Sequence, residues 1–151
     1  SYDGRRVFQK LEQKKLGESV SISTTDGERI WEITKQYEAK TFENDATSLG
    51  YRIDVYQESI NKVFSEYLVN YDYLISTIEN YGFVLLEHQE LEETGLPNSV
   101  GSFEQLFYQM NTDLKTSKIR RSDIGTASKM NHHEKEISYL NNFALRPSNI
   151  S

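Results

Sequence analysis

The sequence predicts a mixed α/β fold, and three features carry the prediction. Two alternating runs, SVSIS and RIWEITKQY, flank TTDGE, whose Asp-Gly pair is a strong hairpin signal. Further on, a strand-like GYRIDVYQESI, a helical NYDYLISTIENYG and an apolar FVLL follow one another, the strand–helix–strand succession of α/β proteins. Ser102 with Gln105, and Asn131 with Glu134, have capping-box spacing and predict the starts of two more helices.

Taken in order, residues 7–15 predict a short helix with Val7, Phe8 and Leu11 on one face, stopped by Gly17. In the hairpin Val20 and Ile22 share one side, Trp31 is in step with Ile33, and Trp31 is expected to anchor the hairpin against a neighbouring element. ENDATSLG is polar, ends in glycine and reads as a loop. Tyr51, Ile53 and Val55 share one face of the next strand. Asn61 to Glu66 reads as a connection. Asn70 is placed to cap a helix whose stripe is Tyr71, Leu74, Ile75 and Ile78, with Gly82 at its stop. FVLL reads as a buried strand and the acidic EHQELEETG as a solvated loop. Phe103, Leu106, Phe107 and Met110 line one face of the helix begun at Ser102. Residues 112–130 are polar and read as a mobile or functional stretch. The helix begun at Asn131 carries Ile137 and Leu140, and NFAL reads as a final short strand.

Composition narrows the function classes. Apolar residues make up 36% of the 151, with 10 Tyr and 7 Phe, which supplies a core and argues against global disorder. The formal net charge of -6 removes the simplest argument for a general nucleic-acid binder, although a local basic face can still act. Cysteine is absent, so disulfide and thiolate chemistry are excluded, and three histidines without cysteine make a poor zinc set. No run is long and apolar enough for a membrane span, and the start lacks the apolar region of a signal peptide. Cytosol or nucleoplasm is the expected location, or a virus-made compartment facing the cytosol.

No complete enzyme site is legible. There is no glycine-rich phosphate fingerprint after a strand and no evident nucleophile. A carboxylate beside an aromatic ring could recognise a guanine edge. Guanine offers N1–H and its exocyclic amine as neighbouring donors, and a carboxylate has two acceptor oxygens. The ring would stack on the base, with a cation–π contribution once the base is methylated. Glu66 next to Tyr67 fits by residue type. The ordinary alternative is a surface glutamate beside a half-buried tyrosine. Lys115, Lys118, Arg120 and Arg121 could touch a triphosphate or RNA backbone, or form a solvated charged loop.

Three stretches resemble one family. YDGRRVF is similar to the segment after the fourth sheet strand of mRNA cap guanine-N7 methyltransferases, especially those of large DNA viruses. GYRIDVYQESINKVFSEYLVNYDYLISTIENYGF resembles the most recognisable block of that family's second half, and EKEISYLNNFAL its last helix and strand. The resemblance spans nearly the whole chain and is weakest over residues 87–130. It implies the C-terminal portion of a Rossmann-like, S-adenosylmethionine-dependent methyltransferase, with a mixed sheet, an antiparallel last strand and an inserted hairpin. Residues 1–151 would be one partial domain without the donor-binding half. The family's PEYLV or PEFLV glutamate binds the guanine edge, and its match is Glu66 in SEYLV. Ser65 replaces the usual proline, with an expected effect on loop stiffness more than on chemistry. A cap-pocket tyrosine in the family's last strand has Phe143 as its nearest match and Tyr139 as the alternative. Catalysis in the family resembles direct attack of guanine N7 on the donor methyl, without protein nucleophile or metal, so rate comes from alignment. The resemblance therefore implies cap methylation by an intact protein with S-adenosylmethionine and capped RNA, and an inactive chain alone. It further implies that the chain pairs with the missing half, with other capping domains, or with itself through an open sheet edge. Two other readings stay open: a non-catalytic subunit that supports a capping partner, and a small cap- or RNA-binding module.

Overall fold

The structure is a computed structural model that describes residues 1–86, 88–91, 100–116, 118 and 130–144. It is mixed α/β, with a four-stranded antiparallel sheet and several helices. Two compact units emerge, Tyr2–Gly82 and Phe83–Ser151, with Ser1 grouped with the second.

In the first unit, helix α1 (Gly4–Lys10) precedes strands β1 (Ser19–Ser23), β2 (Arg29–Lys35), β3 (Arg52–Gln57) and β4 (Lys62–Tyr67), paired in the order β1-β2-β3-β4. The predicted hairpin is present: Gly27 adopts φ 84, and Gly27 N donates to Thr24 O at 2.9 Å to close the turn. Helix α2 (Tyr71–Asn80) begins as its sequence predicts. Asn70 Oδ1 accepts from Tyr73 N at 3.1 Å, and Gly82 takes the left-handed φ of 87 just past the end.

Three expectations are corrected here. Helix α1 spans Gly4–Lys10, not residues 7–15, because Asp3 caps it early by accepting from Arg5 N and Arg6 N. Residues Lys62–Tyr67 are a strand, not a connection. Asn61 turns the chain with a positive φ of 50, and β4 then pairs with β3 from Gln57↔Lys62 to Arg52↔Tyr67. FVLL forms no strand and is largely exposed, with Val84 at 83%. An apolar run becomes a strand only where a neighbouring backbone completes its ladder, and this one pairs with none among the described residues.

The register assigns each residue a face. Ile22, Trp31, Ile33, Lys35, Ile53 and Val55 point to an inner face, shared with Val7 of α1 and with Leu11 just past its end, and all of them are buried. Trp31, 1% exposed, anchors the hairpin as expected. Its Nε1 donates to Tyr2 Oη at 2.9 Å, and Gln57 Nε2 donates to the same oxygen at 3.2 Å. Beyond Lys35 and Ile53 the inner face continues as an aromatic cluster. Tyr37 stacks on Tyr51 at 5.1 Å between centroids, and Phe8 stacks on Phe42 at 5.4 Å.

Helix α1 is fastened at both ends. Gly4 N donates to Val69 O at 2.9 Å, so close that a Cβ on Gly4 would fall on that carbonyl. At the other end Lys35 Nζ donates to Leu11 O at 3.3 Å and Lys14 O at 2.9 Å.

The second unit contains α3 (His88–Leu91), β5 (Val100–Ser102), α4 (Phe103–Lys115), α5 (His132–Tyr139) and β6 (Asn142–Ala144). Both predicted capping boxes are formed, Ser102 with Gln105 and Asn131 with Glu134. The predicted last strand pairs antiparallel with β5, which sequence reading missed. Helix α4 also runs into the stretch read as polar from residue 112, ending at Lys115.

Two substitutions test the fastening of α1. Gly4→Ala should lower unfolding free energy by about 1–3 kcal/mol through overpacking. Lys35→Met keeps the apolar stem, takes from the Lys14 carbonyl its donor while Leu11 O still accepts from Lys14 N, and should cost about 1–3 kcal/mol. Urea titration should show a lower midpoint in both cases with an unchanged slope.

Candidate functional site

Edge strand β4 carries the residues singled out for guanine recognition. Glu66 is directly opposite Ile53, and Ile53 opposite Lys35, so Glu66 belongs to the inner face. The strand lies beyond the cover of α1, and the Glu66 side chain is exposed. Its carboxylate makes no hydrogen bond or ion pair among the described residues. Both oxygens are therefore available as acceptors.

Tyr67 does not join it. Neighbours in a strand point to opposite faces. Tyr67, opposite Arg52 and 62% exposed, belongs to the outer face. The aromatic residue sharing Glu66's face is Phe64, two positions earlier, opposite Val55 and 41% exposed. Residues two apart on a strand are separated by about 7 Å, which leaves room for a planar base held at its edge by one side chain and on its face by the other. Sequence reading missed Phe64 because residues 61–66 read as a connection. The sequence held no clear signal for it, since Val63 and Tyr67 put large apolar side chains on the other face as well.

Ser65, expected to act on stiffness more than on chemistry, lies in a strand and not in a loop. Its Oγ donates to Asp54 Oδ1 at 2.7 Å across the outer face of β3 and β4. That bond chiefly, with help from Arg52 and Gln36, holds the Asp54 carboxyl below its usual range. The strand bearing Glu66 and Phe64 is thus fixed from the opposite face.

The remaining candidates lie in the second unit. Tyr139 ends α5, is 46% exposed, and lines a cavity of about 170 Å³ with Phe103 and Phe107. That is smaller than the roughly 300–1,000 Å³ of ordinary ligand pockets. Phe143 pairs through its backbone with Gly101, and its side chain lies outside the described residues. Lys115 ends α4 and Lys118 follows it, both exposed, with Lys118 N donating to Asp113 O at 2.9 Å. Arg120 and Arg121 lie outside the described residues.

The described residues supply no site fitted to S-adenosylmethionine. Gly17, Gly27, Gly50 and Gly82 all take positive φ at turns or helix ends, and Gly4 is packed against Val69. None belongs to a glycine-rich turn between a parallel strand and a helix, the arrangement that cradles such cofactors. No helix among the described residues is long and apolar enough to cross a membrane. No protein-family model matches the chain, and no curated protein matches its sequence.

A larger cleft, about 800 Å³, lies between the end of α1 and the segment after β2. Tyr37 forms part of its wall, 6% exposed, with a buried hydroxyl that lacks a hydrogen-bond partner. Burial, and then the neighbouring Tyr51, raise its pKa to about 12. A raised folded-state pKa means that this contribution to stability is complete below about pH 10 and is lost as pH rises toward 12. Tyr37→Phe should abolish that alkaline loss. At neutral pH it should also raise unfolding free energy by about 1 kcal/mol, since an unpartnered hydroxyl disappears. Urea titrations at neutral pH and above pH 10 check both outcomes.

Proposed function

We propose that this chain is the cap-binding portion of an mRNA cap guanine-N7 methyltransferase. Such an enzyme moves a methyl group from S-adenosylmethionine to N7 of the cap guanine. The family resemblance motivates the reading, and one observation carries it at the site: the exposed, unpaired Glu66 carboxylate on a strand fixed from behind, with Phe64 on the same face. Glu66 accepts from guanine N1–H and the exocyclic amine, one donor per oxygen. Phe64 takes the stacking role first given to Tyr67. N7 lies on the opposite edge of the base from these donors, so a guanine held in this way presents N7 away from the protein carboxylate. The chain's part in the reaction is alignment of the nucleophile, which needs no protein base because N7 carries no proton.

In this reading donor binding is not the task of this chain, whose sequence has no glycine-rich fingerprint after a strand. The chain alone should transfer no methyl group from S-adenosylmethionine to capped RNA. It should still bind guanine. Calorimetry with the dinucleotides GpppA and ApppA should show at least a tenfold preference for GpppA, about 1.4 kcal/mol. Glu66→Ala should abolish the preference, Phe64→Ala should weaken both ligands by about 1–3 kcal/mol, and Tyr67→Ala should change neither. Equal affinity for the two dinucleotides in the unmodified chain would contradict the reading.

A further inference from the structure

The cleft beside α1 gathers positive charge in a chain whose net charge is -6. Lys14, Lys15, Lys35 and Lys40 line it, against only two carboxylates, Glu12 and Glu38. The ammonium groups of Lys14, Lys15 and Lys40 make no ion pair or hydrogen bond among the described residues. Lys35 is 7% exposed, yet its ammonium is satisfied only by two backbone carbonyls and the face of Tyr37, 4.9 Å from the ring centroid. A buried cation without an anionic partner is costly unless something completes its coordination. Lys35 retains a third N–H. Beside these donors, Phe8 and the half-exposed Leu16 provide apolar wall.

We infer that this cleft binds the phosphate backbone of an RNA strand, with Lys35 at its inner end and Lys14, Lys15 and Lys40 around it. An excess of donors over acceptors suits the anionic oxygens of phosphate. The apolar wall suits a sugar or base laid beside the charged groups. The volume falls in the range of pockets that take a nucleotide-sized ligand. The choice of RNA over another polyanion rests on the proposed capping function. The site itself is separate from Glu66: none of its lining residues belongs to β3 or β4.

The test uses the 151-residue chain and a fluorescent, uncapped 12-nucleotide RNA followed by anisotropy. The RNA should bind, and rising salt should weaken it. The triple variant Lys14→Gln/Lys15→Gln/Lys40→Gln should bind at least tenfold more weakly. Its salt slope should be shallower by about 2, from roughly 0.7 per single-strand phosphate contact. The triple variant Lys10→Gln/Lys62→Gln/Lys115→Gln, which removes the same charge away from the cleft, should bind within twofold of the unmodified chain, a readout that diffuse surface charge would not give. The inference is overturned if the RNA does not bind, if the triple variant binds like the unmodified chain, or if polyglutamate competes as well as unlabelled RNA. Uncapped RNA bound with these dependences, alongside no guanine preference for GpppA, would uphold the cleft and defeat the capping reading.

Discussion

The first unit depends on one clamp. Helix α1 lies across the inner face of the sheet, its start held to the Val69 carbonyl and its end drawn in by the Lys35 ammonium. Between these two attachments Val7 and Leu11 are buried together with the row formed by Trp31, Ile33, Ile53 and Val55. Everything of functional interest in this unit lies at the margins of that cover. At the β4 margin the helix leaves Glu66 and Phe64 exposed. At the β2 margin it forms one wall of the lysine-lined cleft. The use of a buried lysine as a fastener explains how a charged group can occupy the core face: its hydrogen bonds go to carbonyls at the helix end, where the helix dipole also favours a cation.

Strand parity decides which side chains can cooperate. Glu66 and Tyr67 are adjacent in sequence and lie on opposite faces, whereas Glu66 and Phe64 lie on the same one. The outer face has a different task. Ser65, Asp54, Arg52 and Gln36 form a polar network that joins β4 to the body of the sheet. An edge strand held on one side by its ladder and from behind by this network gives the inner-face residues a fixed spacing, as a binding edge requires.

Much of the fold was legible because the decisive signals are local. Asp-Gly between alternating runs defines the hairpin, Asn70 and Gly82 bound α2, and the two capping boxes start α4 and α5. Two of the failures share a physical cause. Strand β4 is exposed along its length, so its residues show no strong apolar alternation, and only its pairing with β3 makes it a strand. FVLL has the composition of a buried strand but no ladder partner among the described residues. Helix α1 was misplaced because the capping role of Asp3 was overlooked. At the site, Glu66 was legible by chemistry. Phe64 was not, because its role follows from a register that only tertiary pairing fixes. The cleft draws on residues from two elements far apart in sequence, and the orphaned Tyr37 hydroxyl has no sequence signature at all.

In the proposed function guanine is held on the inner face of β4 by Glu66 and Phe64. The most direct measurement is the set of intermolecular nuclear Overhauser effects between the guanine H8 and base-edge protons of GpppA and the aromatic rings of the chain. The account predicts contacts to the Phe64 ring and none to Tyr67. Contacts to Tyr67 without Phe64 would place the base on the outer face and contradict it.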